Sequence, residues 1–317
     1  MSHRFAYVDA FTTKPFAGNP CAVVLEADDL GEQEMLAIAR ETNQPETSFV
    51  CASREADFRV AYFTPRQRVA FAGHPTIATA FLLALEGAIR PSSRRPAVAK
   101  FQFDIGVLPV EVHFGSNGRP ERAVMSQAMP VFSTRIKAAE VAPCLGLAEA
   151  DLLPAPEPQV VSTGVPFLLV PARNLEVLRK AQMDRPRLAS LLSGLNTSAA
   201  FLFCLQGFDP AADTHARFFD PLSAMEDPFT GSAAGAMGAF LVHYGLKTGP
   251  LLHIEQGHLL GRPGQGQLEI LGDARDITSI KLGGSAVKTL EGTIPVSYTH
   301  LRAHETPEHL VCRLLLE

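Results

Sequence analysis

The first quarter of the chain alternates short strand-like segments with one amphipathic segment. Apolar and polar residues alternate in "RFAYVDAF" (residues 4–11) and "NPCAVVLEAD" (19–28), and this period of two predicts strands. In "LGEQEMLAIARETN" (30–43) the apolar residues fall at helical spacing, with Asp28 or Asp29 as the expected cap. "ETSFVCASREADFRVAYFTP" (46–65) predicts a hairpin that turns near residues 54–56.

Two later segments are apolar on every side. "FAGHPTIATAFLLALEG" (71–87) begins with small and polar residues and continues without charge from residue 78 to 85. "TGSAAGAMGAFLVHYG" (230–245) has the same design. A helix with no polar face is typical of one enclosed by other structure, so we expect two central helices.

The two segments lie in similar contexts, which indicates a duplicated plan. "YFTPRQRVAFAGHPT" and "FFDPLSAMEDPFTGS" each place an aromatic-x-Pro element about ten residues before the helix start. Further strands are predicted in "FQFDIGVLPVEVHF", "ERAVMSQAMP", "QVVST", "PFLLVPA", "SAAFLFCLQ" and "HARFFDP", with surface helices near 174–181 and 186–194. Since 317 residues are many for one core, we predict two similar domains, 1–125 and 126–294.

Residues 295–317 break this pattern. "VSYTHLRAHETPEH" is polar and histidine-rich, and we expect a non-native or disordered tail, with a terminal helix as the alternative. His304 and His309 are five positions apart with Pro307 between them, so "HETPEH" does not have the spacing of a zinc-binding HExxH helix.

Composition narrows the class of partner. A net charge of −5 gives no general attraction to nucleic acid or to an anionic membrane, and a small-molecule partner is expected. No signal-peptide pattern and no uncharged stretch of about 18 residues occurs, which favours a cytoplasmic protein. The five scattered cysteines predict neither a disulfide framework nor a zinc site.

The starts of the two central helices are candidate anion sites. The first N–H groups of a helix lack partners within it and carry partial positive charge, so they suit a substrate carboxylate. If the halves face each other, Gly73 with His74 and Gly231 with Ser232 could hold a small acid from both sides. Each start by itself is equally well explained as an ordinary cap or turn, and a lone histidine is more often structural.

Two acids lie close to these starts in sequence. Glu46 is at a helix-to-strand junction, and Asp227 precedes the second start by four residues. Either could be a cap or turn residue. In a closed site, however, burial raises a carboxyl pKa towards neutrality, and such a group can take and return a proton.

An ordered set of segments resembles one known family. "FTTKPFAGNPCAVVL", "ETNQPETSFV", "YFTPRQRVAFAGHPTIATA", "STGVPFLLVP", "ARFFDPLSAMEDPFTGSAAGA" and "EQGHLLGRPG" resemble, in this order, the signature segments of the phenazine-biosynthesis PhzF-like family. They span nearly all of residues 5–292. "GNP" or "GHPT" alone would be a weak signal, whereas the ordered set is specific.

The resemblance implies a diaminopimelate-epimerase-like fold of mixed α/β (α+β) class, with two similar domains, each a β-barrel-like sheet around a central helix. It implies that Glu46 is the catalytic acid/base, assisted by His74 and Asp227. A second set of residues is assigned to substrate binding by the same resemblance: Asn19, Gly73, Gly231 and Ser232.

The implied reaction is a proton shift within a small unsaturated or cyclic amino or carboxylic acid, without cofactor or metal, in a protein that is commonly a homodimer. One alternative is an amino-acid epimerase, racemase or dehydratase on the same scaffold. Related two-thiol racemases carry facing cysteines, but this chain has His74 and Ser232 at those places. Another alternative is a metabolite-binding protein that kept the cleft without catalysis.

Overall fold

The computed structural model describes residues 2–93, 96–223 and 225–295. The strands are β1 (Ser2–Ala10), β2 (Asn19–Val24), β3 (Glu46–Cys51), β4 (Phe58–Phe63), β5 (Arg68–Val69), β6 (Ala97–Phe103), β7 (Gly106–Phe114), β8 (Pro120–Ser126), β9 (Val131–Arg135), β10 (Gln159–Ser162), β11 (Pro166–Pro171), β12 (Ala200–Cys204), β13 (Thr214–Phe219), β14 (Leu251–Gln256), β15 (Gly264–Gly272), β16 (Ile277–Gly284) and β17 (Ala286–Pro295). The helices are α1 (Glu32–Thr42), α2 (Gly73–Leu85), α3 (Ala138–Val141), α4 (Leu175–Lys180), α5 (Arg185–Gly194) and α6 (Gly231–His243).

The first half of the fold has a simple strand order. The sequence of neighbours is β17, β1, β2, β3, β4, β6, β7 and β8, and every pair is antiparallel except β2 with β3 and β4 with β6. The two parallel pairs need crossover connections, and helices α1 and α2 lie in them.

The second half repeats this order. Its neighbours are β9, β10, β11, β12, β13, β14, β15 and β16, again with two parallel pairs, β11 with β12 and β13 with β14. Helices α4 and α5 lie in the first parallel connection, and α6 lies in the second. The antiparallel pair β8 with β16 joins the halves, and this matching order confirms the predicted fold of two similar units.

The two uncharged helices are enclosed, as predicted. Helix α2 contacts β1, β2, β3, β7, β8 and β17, and its residues from 74 to 84 are all buried. Helix α6 contacts β10, β11, β15 and β16, and most of its residues are buried. Each half therefore wraps its own sheet around one apolar helix, and at the helix starts Gly73 and Ser232 are only partly buried.

Two expectations from the sequence differ from the structure or remain open. Gly31 is the N-cap of α1, so the prediction of Asp28 or Asp29 was wrong; Asp28 instead accepts a hydrogen bond from the Ala52 N–H. Strand β8 runs across the predicted boundary at 125/126, and β17 pairs back with β1, so the domain division stays a prediction.

The proposed tail, except Pro295, lies outside the described residues. Within the described ranges, every helix is too short or too polar to span a lipid bilayer.

Candidate functional site

The starts of α2 and α6 meet at the junction of the two halves. A Cβ atom placed on Gly73 would lie 3.6 Å from the Ser232 backbone nitrogen and 3.7 Å from the Gly231 Cα atom. The two helix N-termini therefore lie close together, with room for about one methyl group beside Gly73. Gln127 fixes the second start, because its amide donates a 2.9 Å hydrogen bond to the Gly231 carbonyl oxygen.

Glu46 and His74 face each other at this junction. Glu46 begins β3, and His74 is the second residue of α2. The Glu46 Oε2 atom lies 3.5 Å from Nε2 of the histidine. His74 is buried and its Nε2 atom has no hydrogen-bond partner, whereas the Glu46 side chain keeps 24% of its surface exposed. The glutamate is thus the member of the pair that a ligand can reach.

Asn19 links the histidine to the aspartate. Its Nδ2 atom lies 3.0 Å from His74 Nδ1, 2.6 Å from Asp227 Oδ1 and 2.8 Å from the Phe229 carbonyl oxygen. Because the last two contacts are to oxygen acceptors, they orient the amide with its nitrogen towards Asp227. The side chain predicted to bind substrate therefore also connects two of the predicted catalytic residues.

Asp227 is held by the second half of the fold. Its Oδ2 atom accepts a 2.6 Å hydrogen bond from the Thr230 hydroxyl, and its backbone carbonyl accepts a 2.7 Å bond from the Gln256 amide. Gln256 also accepts a hydrogen bond from the Thr230 N–H at 2.9 Å. These contacts fix the loop before α6, so that the aspartate points back towards Asn19.

Burial changes the pKa values of all three predicted catalytic groups. Desolvation, followed by repulsion from Asp227, raises the pKa of Glu46 to about 8. Desolvation also raises the pKa of Asp227, although hydrogen bonds from Thr230 and Asn19 oppose it. Desolvation lowers the pKa of His74 to about 3, so the imidazole is neutral near pH 7. The group poised to exchange a proton near neutral pH is Glu46.

Cys21 lies next to this group but has the wrong properties for a nucleophile. It is paired in register with Glu46, is fully buried, and its Sγ atom lies 3.4 Å from the Ser48 hydroxyl. Desolvation raises the pKa of this thiol to about 12, which disfavours the reactive thiolate.

The structure brings together every residue that the sequence assigned to the site, and it adds others. The assigned residues are positioned by Thr230, Gln256 and Gln127. Of these, Gln256 could have been found from the sequence, because it lies in the "EQGHLLGRPG" segment that contributed to the family resemblance.

Sequence reasoning also missed a cluster of His215, Glu255 and His258 elsewhere in the fold. A cavity of about 670 Å³ is lined by Glu255 and His258 and by none of the three predicted catalytic residues.

Comparisons with known proteins agree with the fold and the site segments. The family model for PhzC-PhzF, "Phenazine biosynthesis-like protein", matches residues 8–292. The chain is 33% identical to "Uncharacterized isomerase YfhB" of Bacillus subtilis over 282 residues, which cover 88% of this chain and 94% of that protein. It is 30% identical to trans-2,3-dihydro-3-hydroxyanthranilate isomerase of Pseudomonas fluorescens over 295 residues, covering 92% and 99% of the two chains.

Solved structures give the same result. The Bacillus anthracis phenazine biosynthesis protein of the PhzF family superposes with a TM-score of 0.84 at 30% identity, covering 93% of this chain and 100% of that chain. A probable proline racemase from Agrobacterium radiobacter, at 11% identity and a TM-score of 0.61 over 95% and 94% of the chains, shares the fold alone. The predicted diaminopimelate-epimerase-like fold and the isomerase class are confirmed. The chain belongs to the PhzC-PhzF family of phenazine biosynthesis-like proteins.

Proposed function

We propose that this isomerase moves a proton within a small unsaturated or cyclic amino or carboxylic acid, and that Glu46 is its acid/base. The observation that carries the proposal is the position of Glu46, 3.5 Å from His74 at the junction of two helix N-termini. A raised pKa, partial exposure and an adjacent anion-binding space are the three properties that a carboxyl proton shuttle needs.

The substrate carboxylate binds between the helix starts in this proposal. The backbone N–H groups of Gly73, Gly231 and Ser232 supply hydrogen-bond donors, and the two helix dipoles supply partial positive charge. A carboxylate held there places the rest of a small acid beside Glu46. Gly73 has no side chain, so its backbone can approach a carboxylate closely.

The proton shift then needs one carboxyl group. The Glu46 carboxylate takes a proton from an acidic C–H bond, and the electron pair of that bond enters the conjugated system of the substrate. The protonated Glu46 returns the same proton to another atom of the system, so no net charge or electron is gained. Neutral His74, with its Nε2 towards Glu46, and Asp227 orient the polar groups of the substrate.

Two-thiol racemisation on this scaffold receives less support. The thiol near the site is Cys21, which is fully buried and has a pKa raised to about 12. The side chains at the two helix starts are those of His74 and Ser232. One carboxylate acting on one proton fits these residues better than two thiols acting on opposite faces of a carbon.

The test first identifies ligands and then measures their conversion or the exchange of their protons with solvent. Small carboxylic and amino acids, including trans-2,3-dihydro-3-hydroxyanthranilate, are screened by thermal shift, and each hit is followed by NMR in deuterated water. We expect the wild-type protein to rearrange at least one hit or exchange its protons. We expect Glu46→Gln to bind the hit but not to convert it.

Glu157→Gln is the matched control, because Glu157 is an exposed loop residue and the substitution makes the same change of charge. An active Glu46→Gln variant contradicts the acid/base assignment. Binding without turnover in the wild type, across all hits, favours the metabolite-binding alternative.

The proposed location is the cytoplasm and the proposed assembly is a homodimer. The cysteines within the described residues are free and buried, which suits a reducing compartment. Sedimentation equilibrium at micromolar concentration tests the assembly, and a mass of one chain contradicts it.

A further inference from the structure

Strand register brings a histidine and a glutamate together in the second half of the fold. His215 of β13 is paired directly with Glu255 of the parallel strand β14. The His215 Nδ1 atom lies 3.7 Å from Glu255 Oε2. Gly257, at a φ of 84°, then turns the chain in a left-handed conformation that suits glycine, and it brings His258 back towards the same carboxylate. The His258 Nε2 atom lies 3.7 Å from Glu255 Oε1.

The imidazoles of this cluster lack the hydrogen bonds that burial normally demands. His215 has no exposed surface, and neither of its ring nitrogens has a hydrogen-bond partner. The His258 Nδ1 atom is also buried without a partner. Most buried polar atoms in proteins are satisfied, so a fully buried imidazole with two free nitrogens requires an explanation.

The carboxylate is held in a fixed orientation. Backbone N–H groups of Phe208 and Asp209 donate to its two oxygens at 2.7 and 3.1 Å, and a carboxylate oxygen keeps a further lone pair for another partner. The Phe208 ring packs against both imidazoles, with centroid distances of 4.9 Å to His215 and 4.7 Å to His258. Hydrogen bonds that orient a ligand, together with an apolar surround, are what metal sites add around their ligands.

We infer that His215, Glu255 and His258 form a binding site for a divalent transition-metal ion of the zinc class. One ligand atom from each residue already lies within 4.8 Å of the others. Two imidazole nitrogens and one carboxylate oxygen suit Zn²⁺, and ligand atoms of a tetrahedral site lie about 3.3 Å apart, so small side-chain movements complete it.

Three protein ligands leave a coordination position for water or another ligand. Glu255 and His258 both line the 670 Å³ cavity, so this position is within reach of solvent. This inference is independent of the proposed role of Glu46 as acid/base, because Glu46, His74 and Asp227 do not line this cavity.

The experiment measures zinc binding rather than activity. The full chain, without a purification tag and stripped by a chelator, is titrated with Zn²⁺ by calorimetry, and zinc-soaked crystals are measured at the zinc edge. His258→Phe keeps the ring that stacks on Phe208 but removes both nitrogens. His253→Gln is the matched control, because His253 is exposed on the same cavity but outside the cluster.

We expect one Zn²⁺ per chain at the cluster, with an anomalous peak about 2.0–2.2 Å from the three ligand atoms. His258→Phe should weaken this binding about 100-fold or more, since even residues that only orient a ligand cost 10- to 100-fold. His253→Gln should change it by less than about threefold. Zinc should also raise the Tm of the wild type and not that of His258→Phe.

The inference is overturned if the wild type shows no zinc at the cluster. It is equally overturned if His258→Phe binds as tightly as the wild type, or if the anomalous signal lies only on other histidines of the chain. Should His258→Phe not fold, His215→Phe takes its place: the wild-type imidazole makes no hydrogen bond that the substitution would remove, and the same loss of zinc binding is expected.

Discussion

The molecule contains two clusters of histidine and carboxylate: the helix junction, with Glu46, His74 and Asp227, and the strand-pair cluster, with His215, Glu255 and His258. The pKa values of their glutamates are shifted in opposite directions. At the helix junction, desolvation and the nearby Asp227 raise the pKa of Glu46 to about 8. At the strand-pair cluster, burial opposes ionisation of Glu255 too, but the nearby imidazoles of His215 and His258 and the hydrogen bonds from the backbone N–H groups of Phe208 and Asp209 outweigh it. The pKa of Glu255 is lowered as a result.

The difference lies in the hydrogen-bond donors around each carboxylate. Within the described residues, the hydrogen bonds of Glu255 come from the backbone, whereas the Glu46 side chain lies 3.5 Å from a histidine at the meeting point of two helix starts and keeps 24% of its surface exposed. A carboxylate with fixed donors stays ionised and suits a cation. A buried carboxylate without such donors has a pKa closer to neutral pH, so it can take up and release a proton during catalysis.

The largest expected effect separates the two glutamates by activity. Glu46→Gln should lower kcat by about 10²- to 10⁴-fold, the usual contribution of a general acid/base. Glu255→Gln should leave kcat within about threefold, since Glu255 does not belong to the helix junction. Steady-state kinetics on the substrate found by screening measures both. Equal losses in the two variants would break the distinction between the clusters.

The next effect tests the space between the helices. Gly73→Ala adds a methyl group 3.6 Å from the Ser232 nitrogen, which is an ordinary contact distance, so the fold should tolerate it. The methyl group would, however, occupy the place proposed for the substrate carboxylate, and KM should rise at least about tenfold, equivalent to about 1.4 kcal/mol. Thermal unfolding checks that the Tm is kept. An unchanged KM would place the carboxylate elsewhere.

The third effect is the pH dependence of kcat/KM. Proton removal needs the Glu46 carboxylate, so kcat/KM should rise about tenfold per pH unit below pH 8 and level off above it. His74 has its pKa lowered to about 3 and should add no step between pH 5 and 9. In Asp227→Asn the residual activity should level off at lower pH, because one source of repulsion is removed. A limb near pH 4.5 in the wild type would contradict the raised pKa.

A smaller effect concerns stability at the strand-pair cluster. Glu255→Gln replaces a charged acceptor of two backbone N–H groups with a neutral amide that can satisfy only one of them fully. The free energy of unfolding should fall by about 2 kcal/mol at pH 7, from the cost of an unsatisfied buried donor. Denaturant titration in the presence of a chelator measures it. A stability equal to that of the wild type would show that the backbone donors do not fix this carboxylate.

The residues of the helix junction could be predicted from the sequence, whereas those of the strand-pair cluster could not, and the reason is physical. An uncharged helix that begins with small residues predicts an enclosed helix with an anion site at its start, and this pattern can be read from the few residues around Gly73 and Gly231. His215 and Glu255 are 40 positions apart and meet only through the register of β13 with β14. The prediction of Asp28 as a helix cap was wrong for a similar reason: its carboxylate accepts a hydrogen bond from the N–H of Ala52, a residue distant in sequence.

The smallest expected effect is a gain in stability of the Glu46→Gln variant over the wild type, which should grow with pH. Between the unfolded pKa of about 4.5 and the folded pKa of about 8, the folded protein holds a proton on Glu46 that the unfolded chain has released. Wild-type stability therefore falls as pH rises through this window. Glu46→Gln does not titrate, so its Tm should match the wild type below pH 4.5 and exceed it by roughly 1–2 °C at pH 8.5, about the shift expected for 1 kcal/mol in a chain of 317 residues. The gain is kept small because 24% of the side chain is exposed to screening water. A Tm difference that does not vary with pH would show that Glu46 is a structural hydrogen-bonding residue, like Glu255, and not a proton carrier.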